Sequence, residues 1–344
     1  MAMDLKVLCA EAYDSLPSVV LTTDSRRILL DCGEGVQRLL GEHKVRFSKL
    51  DAVCLTRFAP DLFGGLPGLI LTSADCGRGS IRLISPPSII DYWKTTSYFL
   101  YRPNFNMLTY ELQPTDSNVT SASSGTVRIT DSEVCTELSS SAPRARDRVV
   151  CTGSLEYDFG DVLLSCVPAY FSIHGYDLPE VRICYICSSP ELPGKFDVAR
   201  ATALGVPKGP LFGQLQSGRT VELPDGQTIA PEQVLGAPQP SVSAAVFADV
   251  RVPGWSQPCA CGSDSATRPC AACTFERNIA ALAENPSWEQ FRAGQARAGA
   301  LTCAFHFCSQ DAIDTSPAYR ALMDGLGPSC THIVLGREVA TTDR

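Results

Sequence analysis

The chain opens on three short apolar runs, "LKVLCA", "SVVLTT" and "RRILLD", each bounded by polar or turn-forming residues. Short runs rich in Val, Ile and Leu with turn chemistry between them predict β-strands. The period then changes. In "GEGVQRLLGEH", Val36, Leu39 and Leu40 share one face of a helix that opens after a glycine turn. "LDAVCLT" predicts another strand, "GGLPGLILTSA" a helix, "IRLISPP" a strand closed by prolines, and "SIIDYWKTTSYFL" a further helix. Strands alternating with helices predict a layered α/β fold.

The pattern divides the rest of the chain. Residues 1–112 form the first part of that unit. Within 113–150, "TDSNVTSASSGTV" and "ELSSSAPRARDR" are rich in Ser and Thr and poor in large apolar groups, which predicts an insertion. Core strands return over 151–187 in "YDFGDVLLSCVPAYF" and "VRICYICS". Residues 188–240 form a distinct module with its own helix and repeated Gly and Pro. The strand-and-helix alternation resumes over 241–344, interrupted by the Cys-rich stretch at 257–275. The chain shows no internal repeat.

Composition narrows the function classes. In 344 residues, 44% are hydrophobic and 19% charged, so a sizeable core can form and general disorder is excluded. No apolar stretch approaches the roughly 20 residues that span a bilayer. The opening "MAMDLKVLCAEAYD" lacks the basic and apolar regions of a signal peptide, so nucleus or cytosol is the expected location, with the mitochondrion left open. The formal charge of −8 argues against a broad phosphate-binding face, so any nucleic-acid role must come from a local element. Of the 16 cysteines, Cys9, Cys54, Cys166, Cys184 and Cys303 sit singly in apolar runs and read as buried reduced thiols.

The stretch "LTRFAPDLFGGLPGL", residues 55–69, has the shape of a strand-to-helix turn that carries metal ligands in metal-dependent hydrolases. A catalytic zinc needs about three N, O or S ligands and an open position for water. Arg57 stays protonated, and Ala59 and Leu62 offer no lone pair, which leaves Asp61 alone. Asp61 is then expected to cap the helix that begins near Gly64. Gly64, Gly65 and Gly68 allow tight turning and close packing. Gly33 to Gly35 lack a surrounding P-loop pattern.

Three features together resemble ribonuclease Z, the tRNA 3′-processing endoribonuclease family of the metallo-β-lactamase superfamily. "RRILLDCGEGVQRLL" followed by "LDAVCLTRFAPDLFGGLPGLI" is similar to that family's opening strands, "DCGEG" turn and metal-motif stretch. "PELPGKFDVARATALGVPKGPLFGQLQSGRTVELPDGQTI" is similar to its flexible arm and Gly-Pro segment. The order of segments also agrees from residue 5 onward. Where the family's catalytic unit reads T-H-x-H-x-D-H, this chain has Thr56-Arg57-Phe58-Ala59-Pro60-Asp61-Leu62. The resemblance therefore implies the amino-terminal, non-catalytic half of a long-form enzyme. Its fold would be a metallo-β-lactamase-like αββα sandwich, one half-unit with an inserted flexible arm.

The same resemblance implies that chemistry, with zinc, belongs to a carboxy-terminal half outside these residues, fused or associated. This chain by itself is then expected to be inactive and to clamp precursor tRNA, with no membrane partner. Tyr170 or Phe171 aligns with another family metal histidine. Asp249 resembles a bridging aspartate, and His306 ends a strand as a family histidine does. A hydrolase with displaced ligands would have to use Asp61, His174, Asp249 and His306. A free-standing pseudoenzyme scaffold is the alternative to the clamp.

The arm carries Lys195, Arg200, Lys208 and Arg219, and acidic residues are sparse between Asp197 and Glu222. Cations and backbone amides near Gly205 and Gly209 suit phosphate contact on folded RNA. Pro207 and Pro210 stiffen that stretch into a knuckle. Leu211 and Phe212 read as packed core beneath it. For Lys195 and Lys208, RNA contact and solvated charge remain equal readings. Cys259, Cys261, Cys270 and Cys273 form C-x-C followed by C-x-x-C, the pairing of a closed structural zinc site. The family resemblance does not predict it, and an exposed loop with cysteines of local composition is the other reading.

Overall fold

Side chains alternate along the central strands, whose two faces are both apolar, while the edge strands are partly exposed. This is the signature of sheets covered on both sides. The structure is a computed structural model that describes residues 3–10, 17–96, 98–100, 102, 105–113, 127–130, 148–172, 179–192, 194–223, 226, 228–248, 270–285, 288 and 301–336. The first sheet runs in the order β1 (Asp4–Cys9), β2 (Ser18–Thr22), β3 (Arg27–Leu30), β4 (Leu50–Cys54), β5 (Ser80–Ser85), β6 (Asn106–Gln113) and β8 (Arg148–Thr152). The second runs β16 (Thr331–Val334), β15 (Leu301–His306), β14 (Ser243–Phe247), β11 (Glu180–Ser188), β10 (Leu163–Phe171), β9 (Leu155–Asp158) and β7 (Val127–Thr130).

Val19, Leu21, Ile28, Leu30 and Cys54 of the first sheet meet Leu164, Cys166, Ile183, Tyr185 and Val246 of the second in one core. Their intervening neighbours face outward. Val20, Leu29 and Val53 pack under α1 (Val36–Glu42), α3 (Leu66–Asp75) and α4 (Ile89–Thr96). Cys184, Ile186, Ala245 and Phe247 pack under α7 (Ala271–Glu284), α8 (Gln310–Thr315) and α9 (Pro317–Gly325). Helix, sheet, sheet and helix therefore form four layers. Each large apolar side chain so buried contributes about 1.5–3 kcal/mol before chain entropy is counted.

Of the two edge strands near the Ser/Thr-rich segment, β7 lies within it and β8 begins within it; β7 pairs in parallel with β9 and β8 in parallel with β6, so they belong to different sheets. At one end of the sandwich a charged cluster joins the sheets. Arg82 donates from Nε to the Tyr157 hydroxyl at 2.6 Å and stands over the rings of Tyr157 and Phe159. Asp51 pairs with Arg26, Arg78 and Arg82, and Arg26 also reaches Asp161.

Residues 188–240 hold two helices, α5 (Val198–Ala203) and α6 (Pro210–Gln216), where the pattern predicted one, plus a ribbon of β12 (Val221–Glu222) and β13 (Thr228–Ile229). They surround a core of their own: Ala201, Val206, Leu215, Val221, Leu223, Ile229 and Val234, with Leu211 and Phe212 packed against it. A stalk joins this module to the sandwich. Leu192 and Gln239 exchange backbone hydrogen bonds, Phe196 bridges Leu235, and Gly236 N–H donates to Lys195 O.

A close backbone approach lies at Gly65, where an added Cβ would enter the Gly33 carbonyl and the main chain around it. Gly65→Ala is expected to lower stability by about 1–3 kcal/mol, since the obstacle is backbone. Gly213→Ala, in an exposed helix with open space around it, is expected to raise stability by about 0.5–1 kcal/mol. Urea unfolding of the two variants checks both signs.

Candidate functional site

The metal-motif stretch leaves β4 at Cys54 and is fixed at once. Asp31, buried at the end of β3, takes a positive φ of 60°. Its carboxylate accepts from the Thr56 N–H at 2.8 Å and from the Thr56 hydroxyl at 2.7 Å. A left-handed non-glycine residue costs about 1–2 kcal/mol, which these two charge-assisted bonds offset. Ile183 N–H donates to Thr56 O at 2.8 Å, and the Tyr185 hydroxyl donates to Leu55 O at 2.6 Å. The second sheet thereby grips the loop from the other side.

The next turn is α2 (Pro60–Phe63), which starts earlier than the sequence suggested. Asp61 lies within its first turn, so it does not cap a helix beginning near Gly64. The N-cap of α3 is Gly65, which has no side-chain cap. Asp61 instead pairs with Arg57, Oδ2 to a terminal guanidinium nitrogen at 2.9 Å. Ala59 and Leu62 are buried. The residues at the four motif positions thus form an ion pair and an apolar patch, and they do not fit a catalytic metal.

Sequence reading missed the neighbours of this pair. Arg57 bridges Arg182 across the two sheets. Arg182 is buried, pairs with Glu180 at 2.9 Å and lies over the Phe171 ring at 5.2 Å. A charge near the start of the apolar run "VRICYICS" was the available signal, because a buried cation demands a partner. Phe171 is buried and Tyr170 is 40% exposed, so neither aligned position supplies a ligand. His174 and Asp249 lie outside the described residues.

His306 ends β15 fully buried. Its Nδ1 lies 2.8 Å from the Tyr319 hydroxyl and its Nε2 2.9 Å from His332 Nδ1, and its ring stacks on Phe247. Both nitrogens are engaged by protein groups. Burial, reinforced by His332, pushes the His306 pKa down to about 3. Burial also lowers that of His332. Among the described residues no three His, Cys, Asp or Glu side chains are grouped to hold a metal.

The arm module carries the predicted contact residues. Asp197 caps α5, accepting from Ala199 N and Arg200 N at 2.9 and 3.0 Å. Gly205 (φ 81°) and Gly209 (φ 151°) take conformations that only glycine adopts readily, and they frame Val206 to Lys208 as a knuckle between α5 and α6. Lys195, Arg200, Lys208 and Arg219 are all exposed. No carboxylate lies between Asp197 and Glu222 in sequence.

Of the four cysteines read as a zinc set, Cys259 and Cys261 lie outside the described residues. Cys270 is the N-cap of α7, and its sulfur accepts the Cys273 N–H at 3.5 Å. No helix among the described residues is long and apolar enough to cross a membrane.

Residues 6–65 match the family described as tRNase Z endonuclease. The chain is 32% identical over 246 residues to the mitochondrial tRNase Z TRZ4 of Arabidopsis thaliana, covering 71% of this chain and 24% of that protein. It is 32% identical over 248 residues to the mitochondrial ribonuclease Z of Drosophila melanogaster, covering 72% and 27%. The chain thus spans about a quarter of the length of these curated relatives. A crystal structure of a long-form RNase Z from yeast aligns over 97% of this chain and 36% of its own, with a TM-score of 0.51 at 14% identity. That likeness establishes the metallo-β-lactamase fold.

Two consequences are measurable. Asp31→Ala strands the buried Thr56 donors and is expected to cost about 2–4 kcal/mol in urea unfolding. The histidine pair adds a pH dependence. An unfolded His306 takes a proton near 6.5, whereas the folded ring stays neutral down to about 3. Stability is then complete above pH 6.5 and declines as pH falls toward 3. The fall in melting temperature from pH 8 to 5 is expected to be shallower in His306→Gln.

Proposed function

The chain belongs to the ribonuclease Z family, and on that premise we propose that it acts in tRNA 3′-end processing as a substrate-clamping, non-catalytic half. The arm module binds the body of precursor tRNA. Endonucleolytic removal of the 3′ trailer takes place in a second metallo-β-lactamase unit, fused or associated, whose zinc ions activate water at the phosphodiester.

The observation that carries this reading is the arm itself. A module with its own core, set on a stalk, exposes four cations on a chain whose formal charge is −8. Within it Arg200 pairs with Asp197 at 3.3 Å, whereas Lys208 stands far from any carboxylate in sequence, and the stretch from Val198 to Val221 holds cations and no acid, so phosphate is attracted locally although the whole molecule repels it. The Gly205 to Gly209 knuckle supplies backbone on which a phosphate group can approach closely. Recognition by shape and phosphate suits tRNAs that share a fold and differ in sequence. The replacement of motif histidines by Arg57, Ala59 and Leu62 supports assigning the chemistry elsewhere.

Binding of a fluorescent precursor tRNA tests the clamp. Lys208→Ala and Arg219→Ala are each expected to weaken binding about three- to tenfold, with a shallower dependence on salt. Arm variants that bind as tightly as the parent, with an unchanged salt slope, favour the free-standing scaffold instead. The purified chain is expected to leave a 3′-trailer substrate intact. Trailer release by the chain alone overturns the non-catalytic assignment.

A further inference from the structure

Cys270 and Cys273 occupy the N-cap and third positions of α7, a 14-residue helix. Residues three apart on a helix are neighbours on its surface, so the two side chains lie on one side of the helix start. The two residues already meet: the Cys273 N–H donates to the Cys270 sulfur at 3.5 Å. We propose that Cys270 and Cys273 form a thiol–disulfide exchange site, with Cys270 as the attacking thiol and Cys273 as the resolving one. The oxidant is a small-molecule disulfide.

The roles follow from the helix start. Cys270 lies where backbone N–H groups point outward, and its sulfur accepts the Cys273 N–H at 3.5 Å, a setting that favours a thiolate. Cys273, at the third helical position, lies about one turn further along and resolves. Both residues are partly exposed, so a small disulfide can reach them. Most other described cysteines differ. Cys32, Cys54, Cys166, Cys184 and Cys187 are buried, and desolvation pushes each of their thiols up.

The exchange balances in two steps. The Cys270 thiolate attacks one sulfur of the small disulfide, forming a mixed disulfide and expelling one small thiolate. Cys273 then loses its proton to solvent, and its thiolate attacks the Cys270 sulfur. The Cys270–Cys273 bond forms, and the second small thiolate leaves. The dithiol gives up two electrons and the oxidant takes them. Reduction by an excess of small thiol runs the same steps backward.

Incubation of the full chain with oxidised glutathione, followed by digestion and mass spectrometry, tests the site. The expected product is a Cys270–Cys273 peptide lighter by two hydrogen atoms, restored by reduced glutathione. Cys273→Ser is expected to stop at the mixed disulfide, with one glutathione retained on Cys270. Cys76, the exposed thiol that follows α3, serves as the internal reference. Iodoacetamide at pH 6.5 is expected to label Cys270 at least about threefold faster than Cys76. Glutathione on Cys76 with no Cys270–Cys273 disulfide overturns the proposal. So does one firmly held zinc per chain that shields both thiols until a chelator removes it, because the pair is then half of a metal site.

Discussion

The Asp31 carboxylate is the point from which the rest of this unit is aligned. It is fully buried, and its two bonds to Thr56 join the turn after β3 to the loop after β4. A buried charge without partners costs several kcal/mol, so the loop cannot shift without breaking those bonds. With Thr56 fixed, Arg57 and Asp61 fall one turn apart on the same side, and Gly65 is brought against Gly33. The second sheet completes the grip through Ile183 and Tyr185.

That scaffold is compatible with metal, yet the side chains it presents are not. Arg57 meets Asp61, and Arg182 beside it meets Glu180. Each cation is matched with a carboxylate, so the region satisfies itself instead of holding a coordinating set open. Asp61 is about half exposed, which makes its pair with Arg57 a modest contributor to stability. Its effect is on position: it closes the first turn of α2 over the place where a ligand cluster would stand.

The arm follows a different logic. Its core is small and separate, and its link to the sandwich is a narrow stalk of backbone hydrogen bonds. In the proposed clamp, residues placed there engage a large folded partner without disturbing the main core. Short-range attraction also suits an acidic molecule. At physiological ionic strength charges are screened beyond about 8 Å, so a cluster of exposed cations acts on whatever touches it and is little weakened by distant carboxylates.

The strands and helices could be read from the chain because period and turn chemistry are local properties. "LDAVCLT" and "VRICYICS" declare strands, and Val36, Leu39 and Leu40 declare a helix face. The loss of ligands was equally legible, since no fold lets Ala59 or Leu62 coordinate a metal. The arm's cations and its proline-stiffened knuckle were also visible in the sequence. Only the tertiary structure decided who partners whom. It moved Asp61 from a helix cap to the Arg57 ion pair, set Asp31 on Thr56, placed Arg182 beside Arg57, and closed His306 between Tyr319 and His332. It also gave the arm a second helix, because the core that supports α6 is assembled from Val206, Leu215, Val221, Ile229 and Val234. These pairings join residues from 4 to 125 positions apart. Sequence pattern reports the side chain's own preference. Which distant group satisfies a buried charge or ring nitrogen is set by how the two sheets meet.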